Sequence, residues 1–241
     1  MSSDAIAVWG SHGYLGSQVV LRLQPRTTVV RLGRDQLPPP PVRAGVDVSF
    51  PLDYKSASVA RTYLRAVEER CTWATRSGCR YVYLASMSSL PPVTSRYGRL
   101  KQTAEAVVLG HGQQLIRAGL VVSETMPGGR FEQIGRLVRV LPVVPVPAPT
   151  QFHVFVSDLD DVLTSVEAAV DGAAEPVALA DQFVSGMRES SLAAVLETLL
   201  PPGKRVLHLG PRASAIAARI ASSLHVGRLD PLASIAAAPQ N

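Results

Sequence analysis

The apolar positions along this chain change period several times, and each change predicts an element. Residues 5–9 form a short apolar run that ends in a glycine-rich turn. From Tyr14 to Leu23 the apolar positions Leu15, Val19, Val20 and Leu23 recur at helical spacing. Residues 27–32 are β-branched and apolar and read as a second strand. The run Pro38 to Pro41 must be a loop. Residues 45–50 read as a third strand, and residues 56–77 as a long helix carrying Val59, Tyr63, Leu64, Val67 and Trp73, stopped by Gly78. A strand over 80–85, a loop over 86–95 broken by Pro91 and Pro92, a helix over 96–109 and a strand over 114–122 follow. Strands alternating with helices predict parallel strands joined by right-handed crossovers, an α/β doubly wound sheet.

Beyond Pro127 the pattern weakens. Residues 141–149, rich in Val and Pro, read as an extended surface segment, and residues 152–156 as a short strand. Asp158 stands where a helix N-cap belongs, ahead of a helix over 159–170. From Leu224 the chain is Ala-rich, with Pro231 and Pro239, and its end is expected to fray. The organisation expected is a sheet domain over 1–170 and a short helical substrate lobe over 171–241, integral to a single domain.

With 241 residues, 46% hydrophobic and 18% charged, the chain has enough apolar side chain for a packed core. No apolar run approaches the roughly 20 residues of a membrane helix. The start lacks a basic segment followed by an apolar one, so a cytoplasmic protein is expected. Cys71 and Cys79 are too few for a disulfide framework and are expected as reduced thiols. The net charge of +5 comes mostly from dispersed arginines, the densest run being Arg96, Arg99 and Lys101. Nucleic-acid binding concentrates basic residues on one face, which this pattern does not do. A basic cleft suits a small anionic ligand instead.

The turn after the first strand reads Gly10, Ser11, His12, Gly13, Tyr14, Leu15, Gly16, a G-x-x-G-x-x-G spacing. Gly10 allows a sharp turn off the strand, Gly13 leaves room for a pyrophosphate, and Gly16 lets the helix pack closely. The helix N-terminus offers free N–H groups to phosphate. Between a strand and a helix, this motif predicts a dinucleotide-binding, Rossmann-type sheet. The second strand ends Val30, Arg31, Leu32, Gly33, Arg34. An acidic residue there would select NAD; arginines can pair with a ribose 2′-phosphate. NADP(H) is therefore the preferred cofactor, with NAD(H) as the other candidate and Arg31 and Arg34 as the 2′-phosphate ligands.

The strand over 80–85 runs into Ser86. Tyr97 follows, and Lys101 lies four residues beyond it, on the same helix face. An ammonium beside a phenol favours its ionised form, so the phenol can exchange a proton with a substrate hydroxyl or carbonyl. A serine hydroxyl can bond the same substrate oxygen.

In this order, the glycine turn, the strand ending at Ser86 and the Tyr97/Lys101 pair resemble the short-chain dehydrogenase/reductase superfamily, nearest its extended NAD(P)-dependent epimerase/dehydratase branch. The resemblance extends through residues 115–122 and 155–162. It implies that Ser86 polarises the substrate oxygen, Tyr97 is the acid/base, and Lys101 lowers its pKa and holds the nicotinamide ribose. It also places Ala118 and Val121 beside the nicotinamide, although proline is usual where Ala118 stands. Ser88 is a rival to Ser86. Between Arg34 and Val46 there is no room for the family's usual extra strand and helix. A homodimer through the helices over 56–77 and 96–109 is a further implication.

The remaining residues read as structural. His12 is a loop filler, and His153 and His208 have no partner at metal-ligand spacing. Asp158, Asp160 and Asp161 suit a helix start, so no metal site is expected. The function expected is an NADP-dependent oxidoreductase that reduces a ketone or oxidises an alcohol on a modest-sized small molecule. The composition fits a bacterial tailoring step in specialised metabolism. Alternatives are an epimerase or dehydratase acting on a nucleotide sugar with retained cofactor, and a non-catalytic NAD(P)-binding scaffold.

Overall fold

A computed structural model describes residues 4–39, 41–93, 95–123, 128–147, 153–172 and 183–210. β1 (Ile6–Trp9), β2 (Val29–Leu32), β3 (Ala44–Asp47), β4 (Arg80–Ser86) and β5 (Gln114–Ala118) form one parallel sheet in the order β2-β1-β3-β4-β5. The chain leaves β1 for β2 on one side, then crosses to β3 on the other. β1 therefore lies at the switch point, where ligands of open α/β sheets bind. Residues 33–43 add no strand or helix among those described, so β3 pairs directly with β1, Trp9 facing Asp47.

Helices cover both faces. α1 (Tyr14–Leu23) and α5 (Leu159–Asp171) pack on one, over an aliphatic cluster that includes Ile6, Val8, Val20, Val46, Ile116 and Val166. α2 (Ala57–Ser77) and α3 (Arg96–Gly110) pack on the other, over Trp9, Tyr63, Tyr81, Tyr83 and Leu115. Ser56 precedes α2 in extended backbone, and Gly78 ends it in the left-handed conformation at φ 64°.

The single strand expected over 114–122 is two strands. After β5, the Gly119 N–H donates to Ser157 Oγ (3.0 Å), and β6 (Leu120–Val122) leaves the main sheet to pair with β8 (His153–Asp158). β8 also pairs antiparallel with β9 (Arg188–Ser191). A helix not expected, α4 (Gly129–Val140), buries Ile134 and Val138. The segment expected on the surface contains β7 (Val143–Pro147), whose Val144 and Val146 are buried and which pairs in parallel with β10 (Arg205–Leu209). Val144 and Val146 are buried because they pack into an apolar cluster with Ile134 and Val138 of α4. With α6 (Leu192–Thr198), these elements enclose a third apolar cluster. Beyond residue 172 the described residues are two strands and a helix, not helix alone. Residues 224–241, expected to fray, lie outside the described residues, as do 148–149 and Phe152.

Asp158 is the N-cap of α5, but its carboxylate receives no capping bond and instead accepts from Arg188 Nη1 (2.9 Å). No helix among the described residues is long and apolar enough to cross a membrane.

Candidate functional site

The glycine turn leaves β1 at the C-terminal edge of the sheet. Gly10 has φ +77°, and a Cβ on it would lie 2.8 Å from both Cα and N of Ser49. Gly16 passes so close to the turn that a Cβ would lie 2.0 Å from Gly10 O. Both positions exclude any other residue. Gly13, exposed, donates its N–H to Gly10 O (2.9 Å) and caps α1 without a side-chain bond. The first N–H groups of α1 thus lack a side-chain cap, as an anion site requires. Ser11 is buried, and its Oγ has no hydrogen-bond partner among the described residues. A tight glycine cradle with an orphaned hydroxyl fits a bound phosphate.

His12 is exposed. Leu15 and Tyr14 pack on the aliphatic cluster, and the Tyr14 ring lies against Gly128 and Gly129 at the start of α4. Burial raises the Tyr14 phenol above its ordinary pKa, more than its bond to Ser123 lowers it. Arg31, on β2 opposite Val8, and Arg34, just past β2, are exposed. Ala118 and Val121 pack into the aliphatic cluster under α5. Ala118 is 4% exposed.

Ser86 ends β4, and its Oγ accepts from Ser88 N (3.3 Å) in the one-turn 3₁₀ helix Met87–Ser89. That turn presses on α3, where a Cβ on Gly98 would lie 2.1 Å from Ser88 O. Ser88 thus contributes its N–H to Ser86 and its carbonyl to the contact with α3. Lys101, buried on α3, donates from Nζ to Leu84 O (2.9 Å), two residues before Ser86. Its ammonium sits 5.1 Å from the centre of the Phe50 ring and 4.5 Å from that of Tyr83. Tyr97 packs edge-on against the same Phe50 ring at 4.8 Å. Tyr97 and Lys101 thus share the Phe50 ring, and Lys101 reaches β4 two residues before Ser86, at the edge of the sheet that carries the glycine turn.

Sequence reasoning missed the layer below. Asp47 ends β3 fully buried, paired with Arg70 of α2, and it accepts from Tyr81 OH (2.6 Å), Ser49 Oγ (2.6 Å) and Ser49 N (2.8 Å). Burial alone would raise its pKa, but the Arg70 charge and these bonds outweigh it and hold the carboxylate below its ordinary range. Tyr63 OH and Tyr83 OH bond each other at 2.6 Å. Burial, with the nearby Asp47 charge, pushes Cys71 up to about 12, so it is an inert thiol. A second buried pair, Glu105–Arg117 (2.9 Å), joins α3 to β5, and Glu105 also bonds Ser89. A signal existed: Arg70 and Glu105 are charged residues on the apolar stripes of their helices. Among the described residues no cluster of His, Cys, Asp or Glu could hold a metal.

Fold and turn define the class: a Rossmann-type doubly wound α/β protein. No family model matches the sequence, and no curated protein matches it significantly. Solved structures do share the fold. The NAD-dependent NDP-hexosamine 5,6-dehydratase TunA of tunicamycin biosynthesis has a TM-score of 0.64 at 17% identity, covering 87% of this chain and 85% of its own. A dTDP-4-dehydrorhamnose reductase from Clostridium acetobutylicum gives 0.67 at 11% identity, covering 86% and 83%. The Bordetella bronchiseptica enzyme WbmG, in complex with NAD and UDP, gives 0.65 at 15% identity, covering 87% and 83%. These neighbours are NAD-dependent epimerase/dehydratase and short-chain dehydrogenase/reductase enzymes, the branch the sequence resembles, and at these identities the likeness carries the fold.

Proposed function

We propose that this protein is an NADP(H)-dependent oxidoreductase that interconverts a ketone and an alcohol on a small molecule. The observation that carries the reading is that Tyr97 and buried Lys101 share the Phe50 ring, with Lys101 bonded to β4 two residues before Ser86, at the sheet edge that also holds the glycine cradle. Gly10, Ser11, Gly13 and the start of α1 would hold the pyrophosphate, and Arg31 and Arg34 a 2′-phosphate. When bound, the nicotinamide supplies or accepts hydride. Ser86 Oγ bonds the substrate oxygen, and Tyr97 OH gives a proton to that oxygen or takes one from it. The Lys101 ammonium favours negative charge on an oxygen beside it. The Phe50 ring lies against both side chains.

A second reading has its own support. TunA is a dehydratase of NDP-hexosamine, and the WbmG structure contains UDP with NAD. By analogy this chain would act on a nucleotide sugar and retain its cofactor through the cycle. A dinucleotide that co-purifies with the protein and survives dialysis favours that reading.

The test is a fluorescence titration of wild type and Tyr97→Phe with NADPH and NADH, followed by a carbonyl screen. The expected result is NADPH binding tighter than NADH, retained in Tyr97→Phe, with turnover lowered about 10²–10⁴-fold. Folded protein that binds neither nucleotide overturns the oxidoreductase reading and leaves a scaffold.

A further inference from the structure

The loop after β2 has an unusual support. β2 pairs only with β1 among the described residues, so no strand flanks that loop on its outer side. Two buried side chains from elsewhere reach it instead. Arg70 Nη2 donates to the backbone carbonyl of Arg34, and Trp9 Nε1 donates to that of Gln36 (2.7 Å). Gln36 closes the turn by accepting the Gly33 N–H on its side-chain oxygen (2.7 Å).

The same guanidinium faces the other lip of the crevice. Arg70 Nη1 pairs with Asp47 and donates to Ser49 Oγ (3.0 Å), while its planar group lies 5.1 Å from the centre of the Trp9 ring. Ser49 is the residue whose backbone walls Gly10. One buried arginine therefore ties the β2 loop, the β3 loop and the end of β1 into a single unit. Only a forked cation does this: a lysine would keep a point charge for Asp47 but has no second arm for Arg34 O.

We propose that Arg70 is a positioning residue for cofactor selection: by pinning the Arg34 peptide it aims the exposed Arg34 side chain at the adenosine 2′-phosphate. This rests on the NADP(H) reading above. A forked contact to phosphate is directional, whereas the 2′-hydroxyl of NADH makes no such demand. Loosening the loop therefore weakens NADPH and leaves NADH nearly unchanged. Trp9, holding the next turn of the same loop, acts in the same sense.

The experiment measures Kd for NADPH and NADH, and amide hydrogen exchange of residues 33–37 without nucleotide, in wild type, Arg70→Lys, Trp9→Phe and Arg34→Ala. Arg34→Ala abolishes the NADPH preference. Arg70→Lys lowers the NADPH-to-NADH affinity ratio about tenfold, the scale of one hydrogen bond to a charged group, and speeds exchange in the loop. Trp9→Phe, which keeps an aromatic ring in the core but removes the indole N–H, lowers the ratio about threefold, and has no further effect on the ratio in an Arg34→Ala background. If both variants leave the ratio at the wild-type value, or weaken both nucleotides equally, the inference is overturned while the cofactor reading stands. Wild type that binds neither nucleotide, or has no preference for NADPH, overturns the reading and the inference together.

Discussion

The two faces of the main sheet are built from different chemistry. Under α1 and α5 the core is aliphatic: Ile6, Val8, Val19, Val20, Val46, Ile116, Val162 and Val166, and among the described residues neither helix carries a buried charge. Its ions lie at the rim, where Arg22 of α1 and Arg26, in the turn just past it, pair with Asp160, Glu167 and Asp171 of α5. Under α2 and α3 the core is aromatic, and it contains Asp47, Arg70 and Lys101 at 0%, 1% and 4% exposure. Side chains on the first face can be exchanged for others of similar volume. On the second, each buried charge has a particular partner, and those partners lead to the glycine turn and to the Phe50 ring beside Tyr97 and Lys101. The candidate site thus extends down into one half of the core and not the other.

The largest expected effect follows from removing a charge on the α2/α3 face. Asp47→Ala leaves Arg70 buried without its counter-ion and costs about 3–5 kcal/mol in urea unfolding at pH 7. Asp47→Asn separates charge from shape, and pH tests it. The folded carboxylate lies below its unfolded value of 3.8, so its stabilisation is full above that pH and is lost as pH falls through the folded value. The stability gap between wild type and Asp47→Asn should therefore be constant from pH 5 to 7 and narrow below about pH 4. A gap that does not change with pH would show that the Asp47 charge contributes nothing to stability.

The same contrast explains how much was legible in the sequence. The aliphatic face announces itself by period: β1, α1 and α5 appear with their boundaries nearly right because Val19, Val20 and Leu23, or Val162, Val166 and Val170, repeat along one face. The glycine turn, Ser86, Tyr97 and Lys101 were legible because their spacing is local. What escaped depends on pairing across the chain. Asp47 and Arg70 lie 23 residues apart and meet only when α2 docks on the sheet. β7 is recognisable only beside β10, and the division of β5 from β6 depends on Ser157 arriving from β8 to bond Gly119. α4 had a period in Phe131, Ile134 and Val138, but glycines and arginines between them masked it. The loop between β2 and β3 was rightly read as too short for a further strand and helix, yet the consequence, an exposed loop held by Arg70, needed the fold.

An intermediate effect sharpens the contrast from the aliphatic side. Ile6→Val removes one methylene from a fully buried position on β1, on the face away from Asp47. It should cost about 0.5–1.5 kcal/mol in the same unfolding measurement. Because Ile6 precedes the glycine turn on the same strand, nucleotide affinity is the discriminating readout. Unchanged Kd values for NADPH and NADH are expected, since the lost volume lies under α1 and α5. A nucleotide defect as large as that of Arg70→Lys would erase the distinction between the faces.

The smallest effect belongs to the ions at the rim of the aliphatic face. Arg22 joins α1 to α5 through Glu167 (2.8 Å) and Asp160 (3.0 Å), and its side chain remains 37% exposed. These bonds raise its pKa, the Glu167 hydrogen bond most, but water and salt screen the pair, and the arginine is charged at any pH of interest. Arg22→Ala should therefore cost at most about 1 kcal/mol, and less in 1 M salt, where charge–charge attraction is screened beyond about 3 Å. Asp47→Ala should keep its full cost in the same salt, because its pair is enclosed. If Arg22→Ala proved as costly and as insensitive to salt as Asp47→Ala, the two faces would be held by the same kind of interaction. The buried charges would then mark no special side of the sheet.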